Sequence, residues 1–548
     1  MNKRTPTEQQ EKCITAICSA IQMLKIEACA GSGKTSTLTM MAQASEVPSL
    51  YLAFNKVTAT EASQKFPRHV TCRTTHSIAY AAFGAKMSAK LSRPKGGYVN
   101  VAGTGSEIAR FFSIDSYENK DGVTITNNFM GLLTRDTVAR FEQSADETIM
   151  EKHVPTLELK QKLGDNPASM RYVVSMVQKY AKILWEARTN LASPVLATHD
   201  TYLKLYQLSK PALKGYDVIY VDEFQDTTPC VLDIIMNQRK TSKIVMVGDN
   251  RQAIYGWRGA VNAMRMARCD TFYLTKSFRY GQAVADIATT VLERDMQIEG
   301  NSSIPSVVAL NGVIDPTKPY TRLFRSNAAL LAEAVNAIIA GDDIRIEIDI
   351  KDFVKLLQST VALFHDDMRN VKHEKLLAYT SWDEMLEESK SDPELGRVAK
   401  VVKDGNAAMW IEILQMHVNS PTAHVTFTTA HKSKGREWSQ VRIENDFKSC
   451  FNDDGEWIGL STEEQNLLYV AVTRAIDVLE YNNTVREYLN EQKSHELPVN
   501  VRKVMQGMSS EIGMGGGDYL RGDMAIEAAY REDTDFYQLG RPDSILAA

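Results

Sequence analysis

The stretch Ile26-Glu27-Ala28-Cys29-Ala30-Gly31-Ser32-Gly33-Lys34-Thr35 decides the fold. A short apolar strand, Ile26 to Cys29, runs into a glycine turn, and a helical run, Ser36 to Ala44, follows. In that order the three pieces form a phosphate cradle, because the turn's backbone N–H groups and the helix N-terminus converge on phosphate oxygens. Lys34 supplies a cation for the β- and γ-phosphates and Thr35 a hydroxyl for Mg²⁺. The general pattern wants glycine where Ala28 stands, so on this motif alone a structural glycine turn is the alternative.

Working outward, a second constellation narrows the choice. Four apolar residues, Val218 to Val221, lead into Asp222-Glu223-Phe224-Gln225-Asp226, which puts carboxylates at the C-terminal end of a buried strand, where open α/β sheets bind ligands. Asp222 suits Mg²⁺, directly or through water, and Glu223 suits the activation of an attacking water. Further strand patterns end in polar residues: Tyr51 to Phe54 before Asn55-Lys56, Val70 to Arg73 before Thr74-Thr75-His76-Ser77, and Ile244 to Val247 before Gly248-Asp249. Together they predict an α/β fold with parallel sheets. Residues 91–204, with long helical stretches and no phosphate or metal signature, interrupt the first sheet, and the acidic, helix-rich residues 341–421 interrupt a second that resumes at His424 to Thr428.

At 548 residues the chain holds about 3.7 domain units, and 44% hydrophobic with 24% charged residues argues against a disordered or fibrous chain. The net charge of −5 hides an asymmetry: residues 1–90 hold 11 basic against 5 acidic residues, residues 481–548 hold 7 against 11. Seven cysteines without a C-x-x-C pair predict free thiols in a reducing compartment. A polar N-terminus and the lack of any apolar run of about 18 residues predict a cytoplasmic chain with no membrane span, at the nucleoid or, if viral, in host cytoplasm.

A longer string carries a family resemblance. Val247-Gly248-Asp249-Asn250-Arg251-Gln252-Ala253-Ile254-Tyr255-Gly256-Trp257-Arg258-Gly259-Ala260 resembles motif III of the UvrD/Rep-like superfamily 1 DNA helicases. Thr7 to Gln10 resembles the Q motif of that family, Ala28 to Thr35 its motif I, Phe54 to Lys56 motif Ia, and Asp222 to Asp226 motif II. Thr74 to Ser77 resembles the T-x-H-S element, Ser277-Phe278-Arg279 motif IV, Arg325-Ser326-Asn327 motif IVa, Thr429 to Glu437 motif V, and Leu468 to Ala475 motif VI. The match runs from about 7 to 480. Ala53 to Lys56, Cys72 to Tyr80 and Leu274 to Arg279 look most like the F-box DNA helicase branch; because the chain starts at the motor, an F-box and ubiquitin-ligase coupling are not expected.

The resemblance implies two RecA-like P-loop lobes, each interrupted by a mainly helical insertion: lobe 1A from 1–90 and 205–275, insertion 1B from 91–204, lobe 2A from 276–340 and 422–485, insertion 2B from 341–421, and an extension from 486–548. It implies that Gln10 bonds the adenine edge while Phe278 stacks on it, that Gln252 senses the γ-phosphate, and that Glu437 takes the ribose hydroxyl. Arg279 and Arg474 become arginine fingers for charge on the γ-phosphoryl oxygens. Ala28, Cys29, Ala30, Gly31, Ser32, Gly33, Ser36 and Gly435 complete the nucleotide contacts. Phe224, Ser36 and Asn466 depart from residues common in the family, and Ser36 leaves an adenine-side contact in doubt.

A motor that ignores base sequence should grip DNA by stacking. Tyr255 and Trp257, with Arg258 beside them, follow the sensor Gln252; Phe54, Asn55, Thr74 and His76 are the matching candidates on the first lobe, and Arg325, Asn327 and His431 on the second. Between motifs V and VI, Phe451 and Trp457 flank an Asn452-Asp453-Asp454-Gly455 turn, a candidate strand-separating pin with an ordinary surface hairpin as the alternative. The sequence reading is an ATP- and Mg²⁺-dependent helicase, a monomer moving 3′ to 5′ on single-stranded and forked DNA, its acidic tail available to a protein partner. One rival is a translocase that strips proteins or recombinase filaments with little unwinding. The other, an ATP-gated scaffold without turnover, is opposed by the intact Lys34, Thr35, Asp222, Glu223, Gln252, Arg279 and Arg474.

Overall fold

A computed structural model of the chain describes residues 5–91, 104–164, 166–256, 262–293, 295–389 and 392–496. Trp257, Arg258 and the acidic end beyond 496 lie outside these described residues.

The first sheet is built from β1 (Met23–Ala28), β2 (Ser49–Ala53), β3 (Val70–Thr74), β4 (Val218–Val221), β5 (Lys243–Gly248) and β6 (Asp270–Leu274). All are parallel, in the order β3-β2-β4-β5-β1-β6. Every residue of β2 and β4 is buried, as expected of strands covered on both faces. In register, Val221 lies opposite Met246 and Ile26 opposite Val247, so β4, β5 and β1 deliver Asp222, Asp249 and Cys29 side by side at one sheet edge. The helices Glu8–Ile17 and Lys34–Ser45 cover one face; His199–Leu208 and Pro229–Met236 cover the other.

The second sheet comprises β7 (Val307–Ala309), β8 (Tyr320–Phe324), β9 (Ile344–Ile346), β10 (Val425–Thr429), β11 (Trp438–Ile443) and β12 (Ala475–Glu480), again all parallel, in the order β9-β10-β8-β11-β12-β7. Two parallel α/β sheets are thus present, as the strand patterns predicted.

Between β3 and β4, helices Gly105–Phe111, Asn127–Gln143, Thr156–Leu163 and Pro167–Thr189 enclose a separate core around Leu133, Phe141, Val177 and Leu184. Its two ends are clipped by Lys90, whose buried ammonium donates to the carbonyls of Ala187, Asn190 and Ser193 while its own carbonyl accepts from Ala197 N. The helix His199–Leu208 straddles the boundary suggested at 204: Tyr202, Leu203 and Tyr206 pack with Leu50 and Ile219 of the first sheet.

Residues 341–421 behave differently. They supply β9 itself, and Leu356, Leu357, Leu363 and Leu414 share one core with Phe324 and Phe427 of the second sheet and with Leu331 of the helix Asn327–Ala340. This segment meets the first insertion through Arg135–Glu374, Lys162–Glu384 and a bond from Thr126 to the Leu377 carbonyl. The helix Asn483–Glu496 carries Val485 and Tyr488 into the second lobe's other core, beyond the boundary suggested at 485.

Candidate nucleotide and nucleic-acid site

Gly31 and Gly33 have φ of +76° and +77°, left-handed backbone that a side chain would strain. Space excludes a side chain at Gly31 too, since a Cβ there would stand 2.6 Å from Arg279 Cβ and from Ser277 Oγ. The turn is therefore pressed against the entry of the second lobe, where Phe278 N donates to the Gly31 carbonyl at 2.8 Å. Gly33 caps the helix Lys34–Ser45 without a side-chain bond, so the first-turn N–H groups have no side-chain cap.

Lys34 Nζ bonds Glu223 Oε2 at 3.1 Å. Asp222 accepts from Tyr51 Oη at 2.5 Å and from Glu223 N at 2.9 Å. Glu223 adopts left-handed backbone at φ 50°, conformational strain of order 1–3 kcal/mol that aims its carboxylate across the sheet edge. Burial works to raise its pKa, but Lys34, Lys434 and the Gln225 amide outweigh it and hold the carboxyl at about 2. Asp222 moves the other way, raised by burial and by the adjacent Glu223 charge. Glu223 is thus the more acidic member of the pair.

From the second lobe come Arg279, Arg474 and Lys434. Arg279 donates to Glu437 Oε2 at 2.5 Å and to the Thr473 carbonyl at 3.1 Å. Glu437, expected on a ribose, is here the partner of Arg279. Arg474 is 1% exposed, and its three bonds go to the neutral oxygens of Val470, Arg436 and Thr473. Burial, and then the neighbouring Arg279, push its pKa down to about 9. Gln252 Nε2 donates to Asp249 Oδ2 at 2.8 Å.

On the base side, Gln10 Nε2 and the Phe278 ring both lie 3.5 Å from the Cβ position of Gly33. The Gln10 amide is engaged, accepting from Thr7 N in a capping box and donating to Thr37 Oγ1. Phe278 is half-exposed. Ser36 is exposed in the first turn, and Gly435 sits at φ +83° in an open loop.

This constellation suits a triphosphate: a left-handed glycine cradle, Lys34 on one lobe, and a buried guanidinium with no carboxylate partner among the described residues on the other. Thr35 at the helix N-terminus and Asp222 are the residues that would hold Mg²⁺. Among the described residues no group of three His, Cys, Asp or Glu gathers as a metal site.

The track candidates divide. Phe54, 50% exposed at the end of β2, lies parallel to Tyr255, centroids 6.3 Å apart and planes 4° apart. Lys434 stands 4.9 Å over the Tyr255 ring and also bonds Asp226 Oδ2 at 2.5 Å and the Gln252 carbonyl at 2.6 Å, so one ammonium touches the acidic turn, the Gln252 backbone and the aromatic pair. His76 is steadied by Asp200 at 3.1 Å and lies edge-on to Tyr202. Asn55 and Thr74 cap the helices Lys56–Lys65 and Thr75–Ala82 with their side-chain oxygens. Arg325 places its fork on the Glu464 carboxylate, a structural use. Asn327 opens the helix Asn327–Ala340, and His431 lies in Ala430–Ser433 just after β10.

Phe451 and Trp457 do bridge as an antiparallel pair, with Gly455 at φ +78° in the turn. Trp457, however, packs edge-on to Tyr488 at 5.3 Å against the lobe's core, leaving Phe451 and Ile458 as the exposed apolar groups. Sequence reasoning gave no role to Lys434, Asp249, Tyr469 or Asp200; a buried run Leu467 to Val472 broken by one polar-tipped aromatic was the available signal for Tyr469.

Comparison with known proteins agrees with this geometry. Residues 7–270 match the UvrD/REP helicase N-terminal domain. The chain is similar to F-box DNA helicase 1 of Gallus gallus, 31% identical over 535 residues that cover 90% of this chain and 50% of that protein. It is 30% identical over 526 residues to F-box DNA helicase protein 1 of Schizosaccharomyces pombe, covering 88% and 58%. DNA helicase II of Escherichia coli (strain K12) is 29% identical over 113 residues, 19% of this chain and 16% of that one. The chain thus spans about half the length of these two F-box DNA helicases. No helix among the described residues is long and apolar enough to cross a membrane.

Proposed function

We propose that this chain, whose residues 7–270 match the UvrD/REP helicase N-terminal domain, is an ATP-driven DNA helicase that moves 3′ to 5′ on single-stranded DNA. The observation that carries this reading is the seam at the phosphate loop. Arg279 Cβ sits within 2.6 Å of where a Gly31 side chain would begin, and the buried Arg474 has only neutral partners. A site made by two lobes converts nucleotide charge into lobe closure.

In this reading Lys34, Arg279 and Arg474 bind the triphosphate and stabilise charge developing on the transferred group. Thr35 and Asp222 would hold Mg²⁺, which when bound would neutralise phosphate charge. Glu223, ionised and aimed by its backbone, accepts the proton of the attacking water. Gln10 and Phe278 receive the base. Arg279 exchanges Glu437 for phosphate, freeing that carboxylate for the ribose. Lys434 carries the nucleotide state from Asp226 and the Gln252 backbone to Tyr255, which with Phe54 offers π-faces to bases.

The test is strand displacement on 3′-tailed, 5′-tailed and forked duplexes, with ATP and with a non-hydrolysable analogue. Unwinding is expected on 3′-tailed and forked DNA with ATP alone. Unwinding of 5′-tailed DNA only would reverse the polarity, and ATP turnover indifferent to single-stranded DNA would remove the motor. The shortness of the 451–457 hairpin, with Trp457 turned inward, favours a second reading, a translocase that strips proteins; release of streptavidin from biotinylated strands far faster than duplex unwinding would select it.

A further inference from the structure

Tyr469 is fully buried on the second lobe's helix Thr462–Val472, five residues before Arg474. Its hydroxyl nevertheless belongs to the first lobe's site: it accepts from Ala30 N of the phosphate loop at 3.0 Å and donates to Asp249 Oδ2 at 3.0 Å. That same oxygen accepts from Gln252 Nε2 at 2.8 Å. Asp249 is buried with its other oxygen bonded to Arg251 N and its own N–H to Gln225 Oε1.

Two donors therefore share one carboxylate oxygen. For Gln252 to turn its amide to a γ-phosphate it must leave Asp249, and stripping a buried carboxylate of a donor is unfavourable. With Tyr469 still on Oδ2, the oxygen is never bare. The other bond of the phenol fixes a phosphate-loop N–H, and its helix leads to Arg474, so a single hydroxyl registers loop, sensor and finger together.

We propose that Tyr469 is a positioning residue: it keeps Asp249 satisfied while Gln252 exchanges Asp249 for the γ-phosphate, and it thereby sets the turnover rate rather than nucleotide affinity. This rests on Gln252 being the γ-phosphate sensor of an ATP-hydrolysing motor. The experiment is steady-state ATP hydrolysis by the full chain at saturating single-stranded DNA, comparing wild type, Tyr469→Phe, Gln252→Ala and the double variant. Tyr469→Phe keeps the ring and its packing and removes both bonds. Its kcat is expected to fall about tenfold while KM for ATP changes less than about threefold. The double variant is expected to be no slower than Gln252→Ala alone, because the hydroxyl acts through the sensor.

A wild-type kcat for Tyr469→Phe, or losses that multiply in the double variant, would overturn the role. If wild type itself showed no DNA-stimulated hydrolysis, the motor reading would fall instead. Should Tyr469→Phe fail to fold, Asp249→Asn tests the shared acceptor: lowered kcat at near-constant KM supports the proposal, and an unchanged kcat overturns it.

Discussion

Glu223 and Asp226 stand three residues apart at one sheet edge, yet their surroundings give them opposite tendencies. Lys34 and Lys434 help hold Glu223 at about 2, so it is charged across any workable pH. Glu223→Gln should therefore abolish turnover by a factor of 10² or more while ATP and DNA still bind; hydrolysis at the wild-type rate would remove Glu223 as the base. Asp226 is pushed up to about 6 by burial, against the pull of Lys434. The folded protein holds that proton more tightly than the unfolded chain, whose Asp titrates near 3.9, so this group's contribution to stability falls as pH rises from about 4 through about 6. Function runs the other way, because the charged bond to Lys434 exists only above about pH 6. DNA-stimulated turnover should show an acid limb near pH 6 that Asp226→Asn removes; a limb persisting in that variant would place the titration elsewhere. Lys34, Thr35, Asp222 and Glu223 were legible because their spacing is local. Tyr469 was not, since its partners lie 439 and 220 residues away in the chain.

Elements were legible where burial is two-sided. Val218 to Val221 and Ile244 to Val247 are apolar at every position because helices cover both sheet faces, and each became a central strand. The helices of 341–421 show an apolar stripe, but a stripe does not say what it faces, and here it faces Phe324 and Phe427 of the sheet. The 451–457 hairpin teaches the same lesson at smaller scale. Two flanking aromatics are equivalent in sequence, but Trp457 locks onto Tyr488 while Phe451 stays 39% exposed. Trp457→Ala, removing a partly buried ring packed on Tyr488, should lower stability by about 1–3 kcal/mol in denaturant melts. Phe451→Ala should leave the melt within about 0.5 kcal/mol and slow duplex unwinding more than single-strand-stimulated ATP turnover. If Phe451→Ala unwinds like wild type, the exposed tip separates no strands.

At the scale of the whole molecule, a net charge of −5 would argue against a nucleic-acid partner if charge were the grip. The groups around the track say otherwise. Lys34 faces Glu223, Lys434 faces Asp226 and Arg325 faces Glu464, so these cations are already neutralised by carboxylates and release few counterions when DNA arrives. In the proposed reading the half-exposed Phe54 ring, stacked parallel to Tyr255, and the partly exposed His76 hold bases through π-faces. Single-strand affinity falls with salt at a log–log slope of about −0.7 per neutralised phosphate. A stacking-dominated grip that contacts about three phosphates should therefore give a slope no steeper than about −2. Titration of a fluorescent oligothymidine between about 50 and 300 mM salt measures it, and Phe54→Ala should then weaken binding without changing the slope. A slope steeper than about −5 would mean that cations elsewhere on the chain carry the grip, and the aromatic pair would lose its place as the track.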